Sequence, residues 1–125
     1  MIGDGMGLSH VSMLQLESKY APTAFDRAQN VALIKTYSLN NRVTDSGAAG
    51  TALATGNKTN NSMISQLPDG TPVESITTKA KRNNFATGIV VSCYVQHATP
   101  ATDDVIGTLA FRASEALPHH CLLHL

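Results

Sequence analysis

Net charge is missing from this sequence: nine Lys and Arg balance nine Asp and Glu. No basic run tracks a phosphate backbone, which argues against nucleic acid as a main partner. No apolar stretch approaches the ~20 residues that span a membrane. No signal peptide pattern is visible, because Asp4 interrupts the N-terminus before any apolar run can form. Cysteine is scarce. Cys93 and Cys121 are the two present, neither lies in a metal-type C-x-x-C pair, and they fix no redox compartment. Cys93 sits in an apolar stretch and is expected to be a free buried thiol. What remains is 125 residues with 42% hydrophobic content, enough for the core of one small domain.

Three familiar phosphate and nucleophile motifs also fail on spacing. Gly56 and Lys58 are split by Asn57, so no P-loop forms. Thr44 and Ala48 stand where a Gly-x-Ser-x-Gly elbow needs glycine. In Met-Ile-Gly-Asp-Gly-Met-Gly, Gly7 falls one place early for a dinucleotide fingerprint.

The stretch that organises the chain is Val-Thr-Asp-Ser-Gly-Ala-Ala-Gly-Thr-Ala-Leu-Ala-Thr-Gly-Asn-Lys-Thr, residues 43–59. Thr44 or Asp45 can cap a helix that begins near Ser46. Small residues follow, and each helical Gly costs about 1 kcal/mol against Ala. That cost makes sense if a ligand or another backbone must come close. A helix N-terminus carries unpaired N–H groups and partial positive charge, so a Ser there can meet a bound phosphate. The plain alternative is a tightly packed small-residue helix with Ser46 as an ordinary cap.

Thr-Asp-Ser-Gly-Ala-Ala-Gly-Thr-Ala resembles the nucleophile motif of alkaline phosphatases. The resemblance implies that Ser46 takes the phosphoryl group and that Asp45 organises the site. Ile-Gly-Asp-Gly-Met-Gly is similar to the family loop whose Asp binds metal, which makes Asp4 a ligand shared by a zinc site and the magnesium site. His-Ala-Thr-Pro-Ala resembles the segment at the third metal. There Thr99 would be an oxygen ligand of magnesium. His97 would contact the ion directly or through water, and imidazole suits zinc better than magnesium.

Around these motifs the sequence predicts alternating elements. A helix is expected over residues 8–20, with Leu8, Val11 and Leu14 on its inner stripe and Ser9 as a possible cap; His10 is given no role. A turn or short helix is expected over 24–29, a strand over 31–38 and a turn at Pro68-Asp69-Gly70. Thr71, Pro72 and Glu74 predict a capping box opening a helix over 72–82. Val73, Ile76 and Ala80 form its inner stripe, and Lys79, Lys81 and Arg82 lie at its C-terminal end, closed by Asn83-Asn84. Residues 86–95 read as a strand buried on both faces. Such alternation predicts an α/β fold. The resemblance makes it part of a three-layer sandwich with a mostly parallel central sheet.

The resemblance covers residues 1–101, read as the N-terminal part of an alkaline-phosphatase-like domain whose first strand is cut short. Residues 102–125 are read as a divergent tail, out of frame or artefactual. Arg112 does not match the family's phosphate-clamping motif, and His119, His120 and His124 read as a chance cluster. The implied function is hydrolysis of small-molecule phosphate monoesters through a phosphoserine intermediate, with two zinc ions and a third-site magnesium. Family members are often homodimers and often periplasmic or extracellular. The family's other metal ligands fall beyond this sequence, so the chain alone is expected to be inactive and to fold poorly. The alternative is a non-catalytic fragment that binds at most one metal weakly.

Overall fold

The computed structural model describes residues 2–102, in two compact units that divide between Lys35 and Thr36. Arg112, Cys121 and the histidines 119, 120 and 124 lie outside the described residues.

In the first unit a glycine turn leads into helix α1, Leu8–Glu17. Gly5 adopts φ +65° and Met6 N–H donates to Gly3 O at 3.2 Å, which closes the turn. Gly7, rather than Ser9, is the N-cap. His10 has a local role that its sequence position did not suggest: its Nδ1 accepts the Gly7 N–H at 3.1 Å. The helix stops short of residue 20 because Lys19 and Tyr20 both turn left-handed, and Tyr20 N–H reaches back to Gln15 O at 2.8 Å. Leu8 and Leu14 remain exposed and only Val11 is half-buried, so the expected inner stripe is not buried. A single 3-10 turn, Phe25–Arg27, falls inside the expected 24–29 segment.

The second unit is built on α2, Ser46–Thr55. Asp45 caps it, accepting the Ala48 N–H at 2.9 Å, and left-handed Gly56 ends it at φ +76°. Helices α3, Ile76–Arg82, and α4, Ala98–Ala101, both pack on α2. The glycines of α2 let other parts of the chain come close. A Cβ on Gly50 would stand 2.6 Å from both Cγ2 and Oγ1 of Thr102, and one on Gly47 would stand 3.3 Å from Met63 O.

Hydroxyls fill much of the small core. Ala48 and Ala101 are buried beside Ser38, Thr51, Thr59, Ser75 and Thr102. Each of these polar groups finds a partner, as buried groups must. Thr51 Oγ1 accepts from Ser65 N–H at 3.0 Å, Ser65 Oγ donates to Thr102 O at 3.0 Å, and Thr102 Oγ1 donates to Thr99 O at 2.7 Å.

Helix α3 begins four residues later than the capping box predicted. Fully buried Ser75 is the cap and accepts Thr78 N–H at 3.2 Å. Pro72 instead pairs with Gln66 in a single antiparallel bridge across the expected turn, where Gly70 N–H donates to Leu67 O at 2.9 Å. Glu74 is thereby released from the predicted box and pairs with Arg82 at 2.5 Å. Ile76, placed on the inner stripe, is exposed. The basic residues Lys79, Lys81 and Arg82 do occupy the last turn, and Asn83 caps it with its side chain on Lys79 O at 2.8 Å.

Neither 31–38 nor 86–95 forms a ladder, and no strand occurs among the described residues. Val31, Leu33, Ile34 and Val90 are exposed. A strand needs a ladder of backbone partners on a neighbouring segment, and no such ladder is present among the described residues. Cys93, expected to be buried in the second strand, is exposed and free. No helix among the described residues is long and apolar enough to cross a membrane.

Candidate active site

Asp45 is the knot of the site. One carboxylate oxygen caps α2 through Ala48, and the other accepts Ser62 N–H at 2.5 Å. Its own N–H donates to Asn61 Oδ1 at 3.2 Å, and Asn61 Nδ2 donates to Val43 O at 3.0 Å. The 61–62 loop thus holds both the peptide approach to α2 and its cap. A carboxylate at this end of a helix is also favoured by the helix dipole. Ser46 is the first helical residue and half-buried, not the cap.

The loop is braced from behind. Asn40 Oδ1 accepts from Asn61 N–H at 2.9 Å and from the buried Ser38 hydroxyl at 3.2 Å. Leu39 N–H donates to Thr59 O at 3.0 Å. Lys58 Nζ donates to Tyr37 O and lies 3.0 Å from the centre of the Tyr37 ring. Asn40, Asn61 and Ser62 were not singled out from the sequence as site residues. The doubled asparagines at 40–41 and 60–61 are the one signal that could have marked them.

The other candidates sit on α4. His97 is its N-cap and Thr99 lies within it. The α2–α4 contact at Gly50 and Thr102 lies one turn, about 6 Å along the axis, from Ser46. The structure therefore brings together the two helices that carry Ser46, His97 and Thr99. Asp4 belongs to the other unit, in the exposed glycine turn ahead of α1.

His97 Nδ1 is buried with no hydrogen-bond partner, and the ring meets Tyr94 edge-on at 5.5 Å. An unpaired buried ring nitrogen is costly and is a ready donor to a metal or to a metal-bound water. Imidazole nitrogen and hydroxyl oxygen, the donor types that His97, Ser46 and Thr99 carry, both suit divalent cations. Among the described residues, however, no group of three or more His, Cys, Asp or Glu side chains comes together to hold a metal ion.

A family profile described as Alkaline phosphatase matches residues 1–108. The chain belongs to the alkaline phosphatase family. Alkaline phosphatase 3 of Bacillus subtilis is 39% identical over 110 residues, covering 82% of this chain and 24% of that protein. The alkaline phosphatase of the Antarctic bacterium TAB5 superposes with TM-score 0.75 at 40% identity, over 81% of this chain and 29% of that one. The Thermus thermophilus alkaline phosphatase gives TM-score 0.76 at 31% identity, over 91% of this chain and 27% of its own. Two TAB5 variants, with a histidine replaced by glutamate or by aspartate, hold magnesium in a site designated M3. These neighbours are alkaline phosphatases and have the α/β fold. The family match runs past Ala101, where the three sequence motifs end. The chain spans about a quarter of the length of the curated relatives it matches.

Proposed function

We propose that this chain carries the nucleophile of a metal-dependent phosphatase that hydrolyses phosphate monoesters through a phosphoserine at Ser46. The observation that carries this reading is the position of Ser46 at the start of α2, behind a cap fixed on both carboxylate oxygens. In the proposed reaction Ser46 Oγ forms a bond to phosphorus as the ester oxygen departs and takes up a proton. Water then breaks the Oγ–P bond and releases phosphate. The positive end of α2 favours the charge on the transferred group. Asp45 orients the turn.

Asp4, Ser46, Thr99 and His97 are the residues proposed to hold metal, with two zinc ions and a third ion in the complete site. Bound there, the ions would lower the pKa of the attacking oxygen and neutralise charge on the leaving one. The unpartnered His97 Nδ1 supports its place at the third site. The magnesium-bound TAB5 variants parallel the expectation that a carboxylate in place of histidine draws in magnesium. The second reading, for the 125-residue chain by itself, is a non-catalytic one with at most weak binding of one metal.

The test is hydrolysis of an aryl phosphate by the protein expressed at the length of its relatives. Zinc-restored turnover after chelation, lost in Ser46→Ala, is the expected result. Turnover that survives Ser46→Ala would refute the assignment, and zinc-dependent turnover by the 125-residue chain would refute the second reading.

A further inference from the structure

We infer that Asn61 is a positioning residue for Ser46, a proposal that rests on the reading of Ser46 as nucleophile. Its planar amide makes two bonds to the chain just ahead of that serine. Oδ1 accepts the Asp45 N–H at 3.2 Å, and Nδ2 donates to the Val43 carbonyl at 3.0 Å. Only a side chain with an acceptor and a donor on one rigid group satisfies both. The next residue extends the clamp, since Ser62 N–H holds the Asp45 carboxylate at 2.5 Å. Ser62 adopts φ +66°, a left-handed conformation that turns its N–H onto that carboxylate.

The clamp has a fixed base. Asn61 N–H is anchored on Asn40 Oδ1, which in turn takes the hydroxyl of Ser38, one of the few buried residues of the unit. The direction in which the chain enters α2 is therefore set by a loop sixteen residues away in sequence. That direction fixes where the Ser46 hydroxyl stands relative to the phosphorus it attacks. Asn61 touches neither substrate nor metal in this account. It acts through the Val43 and Asp45 peptides.

The experiment compares Asn61→Ala, Asn61→Asp and Asn40→Ala in the protein expressed at the length of its relatives. Steady-state kinetics are read with an aryl phosphate, alongside Tm and low-pH trapping of labelled phosphate located by peptide mass. Asn61→Ala should lower kcat about 10- to 100-fold per site able to take label, since displacements near 1 Å have such effects on aligned reactants. KM should stay within about twofold, because ground-state binding is untouched. Asn61→Asp keeps the oxygen facing the Asp45 N–H and should recover part of the loss. It also serves if Asn61→Ala does not fold. Asn40→Ala leaves both side-chain bonds of Asn61 in place but removes the anchor beneath them, and should lower Tm and cost clearly less kcat than Asn61→Ala. Unchanged kcat per labelled site in both Asn61 variants would overturn the proposal. So would an equal loss in Asn40→Ala, which would reduce the effect to loop integrity. Label on a residue other than Ser46 in the unsubstituted protein would instead overturn the reading beneath it.

Discussion

Gly50→Ala is the sharpest test of how α2 and α4 are held together. By helix propensity alone the change should stabilise α2 by about 1 kcal/mol. The structure predicts the opposite sign. The new Cβ would meet Thr102 Cγ2 and Oγ1 at 2.6 Å and Thr102 Cβ at 3.0 Å. Thr102 cannot swing away cheaply. Its hydroxyl is bonded to Thr99 O at 2.7 Å and its carbonyl to Ser65 Oγ at 3.0 Å. Overpacking of this kind costs about 1–3 kcal/mol, and breaking the Thr102–Thr99 bond to relieve it adds roughly 1 kcal/mol. Net destabilisation of about 1–3 kcal/mol is expected once the propensity gain is subtracted. Denaturant unfolding should show a lower midpoint at unchanged slope. Thr102→Ala in the same chain removes both atoms at 2.6 Å, so the two substitutions should couple by about 1 kcal/mol or more. A more stable Gly50→Ala protein, or effects that simply add, would refute the packing argument.

Asp45→Ala removes the α2 cap and strands Ser62 N–H, and should destabilise by about 1–3 kcal/mol; a loss below a few tenths in chemical unfolding would contradict that role. His97→Asp in the protein at full family length should raise magnesium over zinc at the third site, read by metal analysis of the purified variant; unchanged metal content and magnesium activation would exclude His97 from that site. The Asp69 carboxyl is held below its ordinary 3.8 by the Thr71 N–H, then by its hydroxyl. Its contribution to stability is therefore present above that ordinary value and lost as pH falls through the lowered one. A carbon-13 titration placing Asp69 at or above 3.8 would contradict this.

Local signals in the sequence carried the helices and turns well. The alternatives of Thr44 or Asp45 at the head of α2 resolve to Asp45, whose carboxylate reaches the Ala48 N–H within a single turn. The Pro68-Asp69-Gly70 turn and the basic end of α3 are likewise set by neighbours along the chain. Misplacement came where two local signals overlapped, as at Thr71 and Ser75, and burial of Ser75 decided between them. Non-local contacts were the least legible. The apolar runs at 31–38 and 86–95 state a preference for strands, but pairing depends on partners that no local pattern supplies. Gly47 and Gly50 signalled close approach by a ligand or another backbone without saying which part of the chain would come, and the neighbours are Met63, Ile64 and Thr102. Asn61 was invisible as part of the site because its partners are Asp45 and Val43, on a separate stretch of chain.

The central claim is that Ser46 accepts the phosphoryl group. Its most direct test is low-pH trapping of labelled phosphate on the protein expressed at the length of its relatives, followed by location of the label in the peptide containing residues 43–59. The account predicts label on Ser46 and none in Ser46→Ala. Label retained in Ser46→Ala, or found on Thr44 or Thr51 in the unsubstituted protein, would contradict it.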